Sequence, residues 1–473
     1  MDSRDLAFAG AARQAELVRT GEVSPRELVD LCLDRIERLD PRLNAFRVVW
    51  AERARAEADQ AGARARAGGE RPLLGVPVAV KDNVDVAGEI TTHGTGAFVT
   101  PADEDSEIVK RLRAAGAIIV GKTLLPEFAL WPTTQSATWG ATVNPWHADY
   151  GPGGSSGGSG TAVAAGMVGI AHASDGAGSI RAPAASCALF GLKPQRGRVS
   201  LLPDLEHWKG MSVYGCVSRT VADTALYLDA VAGPVAGGRG EPSPPAPSRP
   251  FLDAASTAPG RLRIAVSTTT AMPQEKVDPE VRRGLDATAD LLRSLGHDVR
   301  EQDPDYGRGP LIALFGPRYL RGAKEDMDKA ERPGVLERRV RGLGRLGSLT
   351  PERVLDRARA DAEPWTRTVQ RLWDDFDVLL QPTMPRLPAR LNEQEGLGTL
   401  RMMESSAHYV AYTAPWNITG QPAASVPAGW TDEGLPLAVQ IVGRPDDEQT
   451  LLSLAAQIER ERPWADRLPP LAS

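Results

Sequence analysis

The sequence predicts an α/β protein, and three observations carry that expectation. An apolar strand at residues 77–80, an amphipathic helix at 105–115 and a second strand at 117–122 follow one another directly. Strand–helix–strand alternation of this kind builds a sheet covered by helices. The 473 residues are enough for a large core, and a composition 42% hydrophobic and 25% charged is that of an ordinary globular chain.

The elements can be taken in order. Ser24-Pro25-Arg26-Glu27 reads as a capping box, and Leu28, Leu31, Ile36 and Leu39 then recur at helical spacing to near Asp40. Residues 51–66, rich in Ala, Glu and Arg, form a second helix with a solvated face. The strand at 77–80 ends on Lys81, an unusual residue for a buried strand end. Further on, a helix runs to Val231, and the proline-rich stretch 234–260 reads as a surface excursion. A strand at 262–266 and a helix at 279–295, closed by Gly296, restart the pattern as a subdomain would. Arg338, Arg339, Arg341 and Arg345 read as a solvated helical face. A hairpin around Gly434-Leu435-Pro436 precedes a last helix from Asp447.

Composition excludes several classes. A formal net charge of −6 gives no reason to expect nucleic acid or an anionic membrane as partner. Cys32, Cys187 and Cys216 stand apart, without disulfide or metal-binding spacing, and read as reduced core residues. No metal or other cofactor is expected. With no apolar leader near Met1 and no run approaching a membrane span, the expectation is a cytoplasmic protein.

The chemistry concentrates in Gly153-Gly154-Ser155-Ser156-Gly157-Gly158-Ser159-Gly160 and Asp175-Gly176-Ala177-Gly178-Ser179-Ile180-Arg181. Between them, 161–168 reads as a short buried helix. Glycine turns inside an apolar region bring main-chain N–H groups close to a bound group, as a developing oxyanion requires. No Lys follows Gly158 or Gly160, which excludes a phosphate-binding P-loop, and a Gly-x-Ser-x-Gly elbow does not fit.

These motifs resemble the amidase signature family. Gly-Gly-Ser-Ser-Gly-Gly-Ser is followed, 24 residues after Ser155, by Ser179 of Gly-Ser-Ile-Arg; Lys81 stands 74 residues before Ser155. Gly191-Leu192-Lys193-Pro194, Gln381-Pro382-Thr383 and Thr419-Gly420-Gln421-Pro422 extend the resemblance over nearly the whole chain. It implies one domain over 1–473, with a central mixed, twisted β-sheet flanked by helices. The signature core would span 72–233, and a variable segment at 300–375 would cover the active-site mouth. It also implies a stand-alone amidase acting on a small-molecule amide, and is compatible with a homodimer. Ser179 would be the nucleophile of an acyl-enzyme, with Ser155, on a cis peptide, and neutral Lys81 relaying protons. Amides of Gly176, Ala177, Gly178 and Ser179 would form the oxyanion hole, and Leu130, Trp131 and Tyr150 would line the substrate pocket. His172 is expected to be structural, and Arg181 to hold Asp175.

Ala177 stands where the family commonly has glycine, a form that resembles the branch containing aminohexanoate cyclic-dimer hydrolases. Ala182 replaces the Gln usual in glutaminase subunits of amidotransferases, which lowers that reading. A biosynthetic acyltransferase using the same acyl-enzyme is the other alternative.

Overall fold

The computed structural model describes residues 2–235, 243–272, 276–307 and 311–472. Its strands are β1 (Phe46–Val49), β2 (Pro77–Lys81), β3 (Ile118–Thr123), β4 (Gln135–Ser136), β5 (Gly140–Ala141), β6 (Ile170–Asp175), β7 (Phe190–Lys193), β8 (Val213–Ser218), β9 (Arg263–Val266), β10 (Asp298–Glu301), β11 (Val378–Pro382), β12 (Ala423–Trp430) and β13 (Pro436–Gly443). Eleven of them join one sheet in the order β1-β3-β2-β6-β8-β7-β12-β13-β11-β9-β10, while β4 and β5 form a separate ribbon. The sheet is mixed: β3, β2 and β6 run parallel, the centre from β6 to β11 is antiparallel, and β11, β9 and β10 are parallel again.

Helices cover both faces. Side chains alternate across β2, so Val78 and Val80 enter one apolar cluster and Ala79 enters another. The second cluster also holds Ala162, Val163 and Ala164 of the helix Gly157–Ala164. That helix starts four residues earlier than the sequence predicts, inside the glycine-serine run. All eight of its residues are buried, and tertiary packing of small side chains overrides their poor helix propensity.

The capping box at Ser24 forms, with Ser24 Oγ accepting from Glu27 N and Glu27 accepting from Ser24 N. The helix Ala51–Arg66 has the predicted bounds. The predicted helix at 105–115 is shorter, Glu107–Ala114, because Ser106 takes the extended N-cap conformation.

One expectation needs correction. The stretch after Pro234 is only partly a surface excursion. Residues 236–242 lie outside the described residues, but Phe251–Ser256 is a helix whose first amides donate to Asp229, and Phe251 is 1% exposed. An aromatic anchor thus ties the proline-rich chain to the core. The restart at residue 262 stays within the one domain that the resemblance implies: β9 pairs with β11 and extends the same sheet. Among the described residues, no helix is long and apolar enough to cross a membrane.

Candidate active site

Alternation along β2 puts Lys81 on the same face as Ala79, towards the helix Gly157–Ala164. Its Nζ lies 2.7 Å from Ser155 Oγ and 2.9 Å from Ser174 Oγ, and all of its surface is buried. Burial, opposed in part by the charge of Asp175, brings Lys81 from its ordinary range down to about 7. Asp82, the adjacent carboxylate, is engaged elsewhere: Lys122 Nζ is 3.1 Å away and Arg47 Nε 3.3 Å. The Gly154–Ser155 peptide is cis, as the resemblance implies.

Asp175 ends β6 and organises the second motif. Its carboxylate accepts from the amides of Gly178 at 2.7 Å and Ile180 at 3.1 Å, and from Asn417 Nδ2 at 2.9 Å. Arg181 grips it with two bonds, Nε to Oδ2 at 3.0 Å and Nη2 to Oδ1 at 2.9 Å. Burial by itself would raise this carboxyl; the Arg181 guanidinium, Asn417 and Lys193 together outweigh it and hold Asp175 at about 2. Arg181 also donates to Thr413 O, Gln440 Oε1 and Asn417 Oδ1, so it is structural, as expected from the sequence. Gly178 adopts φ +133°, and a Cβ there would meet the Thr413 side chain. The turn leaves Ser179 partly exposed in otherwise buried surroundings.

The expected set of oxyanion amides is corrected by this geometry. The Gly178 amide is engaged by Asp175 and aims into the turn, which leaves Gly176, Ala177 and Ser179 as the candidates. His172 is fully buried, its ring edge-on to Tyr214 at 4.9 Å. Burial, then the charge of Lys81, lowers it to about 3, so it stays neutral and is a poor proton acceptor.

Ser179 stands between two cavities. One, of about 100 Å³, is walled by Leu130, Trp131, Trp208, Phe315, Tyr319 and Tyr409. The other, of about 40 Å³, is polar and is bounded by Asn83, Ser155, Ser174, Gly176, His207 and Asp326. Leu130 and Trp131 therefore both line the apolar cavity beside Ser179. Tyr150 does not: its ring packs on His147 and under Arg390, and its hydroxyl reaches towards Glu433. A strand bridge pairs Tyr150 with Arg390, and Tyr150 lines neither cavity beside Ser179.

Ser174 and Asn83 escaped the sequence reading; a serine directly before Asp175, at the end of β6, was the available signal. Trp208 and Tyr319 come from segments with no local motif, and only the fold reveals them. Part of the predicted variable segment, the helix Leu311–Asp328, supplies Phe315 and Tyr319 to the apolar wall.

A lysine hydrogen-bonded to Ser155 and a second serine, Ser179, on a carboxylate-organised turn thus stand on one mixed sheet. Residues 27–452 match the Amidase family model, and the chain belongs to that family, the amidase signature enzymes. It is 48% identical over 471 residues to "Putative amidase AmiB2" of Mycobacterium tuberculosis, covering 99% of each chain. It is 35% identical over 502 residues to the 6-aminohexanoate-cyclic-dimer hydrolase of Paenarthrobacter ureafaciens, covering 100% of this chain and 98% of that one. A solved structure of a 6-aminohexanoate cyclic dimer hydrolase complexed with substrate superposes with a TM-score of 0.90 at 33% identity, over 99% of this chain and 100% of that one.

Proposed function

We propose that this amidase-family amide hydrolase works through an acyl-enzyme on Ser179, with Ser155 and neutral Lys81 as the proton relay. The observation that carries the reading is the fully buried lysine 2.7 Å from Ser155 Oγ, shifted to about 7 with no carboxylate bonded to it among the described residues. A lysine so placed is a base near neutral pH. Ser179 Oγ bonds the carbonyl carbon while its proton passes to Ser155 Oγ, whose own proton passes to Lys81 Nζ. The oxyanion is met by the amides of Gly176, Ala177 and Ser179. The C–N bond then breaks, the relay returns the proton to the leaving nitrogen, and water hydrolyses the ester to the carboxylic acid.

A fluorophosphonate probe tests the nucleophile. Wild type is expected to gain one adduct, mapped to Ser179 by peptide mass spectrometry, and Ser179→Ala none. Amide turnover by that variant should fall by about 10⁶-fold, as when a nucleophile is removed from other serine hydrolases. An adduct on Ser155 or Ser159 would overturn the assignment.

A further inference from the structure

The two cavities flanking Ser179 differ in chemistry, and the difference assigns the two halves of the substrate. They share three wall residues, Ala129, Ser179 and Trp208. Trp208 is the partition. Its indole Nε1 donates to Asp326 Oδ2 at 3.0 Å, its face lies on His207 at 5.6 Å, and its edge meets Tyr319 at 5.2 Å. A Cβ on Gly322 would come within 2.8 Å of Trp208, so helix Leu311–Asp328 closes tightly behind it.

Behind the partition, His207 Nε2 lies 3.0 Å from Asp326 Oδ2 and Nδ1 2.7 Å from Ser212 Oγ. Lys329 donates to Asp204 at 3.2 Å on the same wall. A cavity of about 40 Å³ there has room for roughly three water-sized groups, at about 10–15 Å³ each.

The direction of the reaction decides which half goes where. Ser155 and Ser174, the two partners of Lys81, open on the polar cavity. The proton returned to the leaving nitrogen arrives by that route, so the nitrogen must sit on the polar side. The acyl chain is then left with the larger, apolar and aromatic side. Building on the acyl-enzyme reading, we infer that the polar cavity is the leaving-group and water subsite, that Trp208 sets its size, and that the substrates are primary carboxamides of apolar acids. Ammonia fits behind Trp208 and is replaced there by the hydrolytic water; an anilide or a long N-alkyl group does not.

The test compares amides that share one acyl group. For hexanamide and hexanoyl anilide, wild type is expected to prefer the primary amide in kcat/KM by at least about 100-fold, the upper range of discrimination by pocket size. Trp208→Ala should narrow that preference by about tenfold or more, mainly through the anilide. Wild type that cleaves both amides equally, or a Trp208→Ala variant with unchanged preference, overturns the assignment. Because Trp208→Ala could loosen the fold, His207→Leu, which changes the polarity of the same cavity, is measured beside it. It should raise KM for hexanamide less than it lowers the hydrolysis rate of the hexanoyl-enzyme, and an unaltered deacylation rate also counts against the inference. Acyl-enzyme formation from 4-nitrophenyl hexanoate is read separately by mass spectrometry. If the ester acylates Ser179 while the amides are not discriminated, the subsite assignment alone fails; if no acyl-enzyme forms, the underlying mechanism fails.

Discussion

Replacing Lys81 with methionine is expected to lower the acylation rate by about 10³-fold or more, within the range general-base removal gives, while the protein still folds. Methionine matches the length of the buried stem and removes the amine that lies 2.7 Å from Ser155 Oγ. The wild-type profile supplies a second check. Below about 7 Lys81 holds its proton as an ammonium and cannot accept another; above it the amine is free. Acylation should therefore rise with pH and level off above about 7. The same shift has a stability consequence of fixed sign. Folding lowers this pKa, so the contribution of Lys81 to stability is fully present above its unfolded value and is lost as pH falls through about 7. Lys81→Met should thus lose less stability than wild type as pH falls from about 10 to about 7. Burst kinetics with an activated ester and thermal unfolding at several pH values measure both. Near-normal acylation by the variant, or a wild-type rate still climbing at pH 10, would refute the relay.

The second large effect is expected at Arg181. Its methionine variant leaves the Asp175 carboxylate buried and without its guanidinium, an arrangement that costs about 3–5 kcal/mol of folding stability. Urea unfolding should show that loss, and Arg181→Lys should recover only part of it, because an ammonium cannot supply the two-pronged grip. Adding Asp175→Asn to Arg181→Met should restore some stability by removing the stranded charge. Asp175→Asn alone carries a distinct signature. The carboxylate's charge raises Lys81, so its removal should move the bend in the acylation profile below 7. A bend that stays in place would mean the two groups are not coupled.

The site and the fold were legible to different depths. The serines, the lysine and the two glycine turns could be read because the chemistry is packed into short contiguous motifs. The sheet-forming runs were readable because burial imposes apolar residues at regular spacing. The entry of Gly157 and Gly158 into a helix was hidden, since glycine signals a turn and only its burial against neighbouring segments reverses that. Tyr150 misled for a related reason: proximity in sequence to the serine loop suggested proximity in space, whereas it pairs with Arg390 and lines neither cavity beside Ser179. The two cavities were invisible, because Trp208, Phe315 and Tyr409 meet around Ser179 from separate parts of the chain.

The bonds from Arg181 and Asp175 to Thr413, Asn417 and Gln440 have a practical consequence for anyone shortening the protein. Ser179 lies in the first half of the chain, yet the clamp that shapes its turn is completed by residues beyond 410. A fragment covering only the signature motifs would carry Lys81, Ser155 and Ser179 and still lack three of the groups that fix Arg181. Supplying the missing C-terminal piece in trans is the way to restore it, and recovery of probe labelling on mixing the two pieces would report that the clamp had closed.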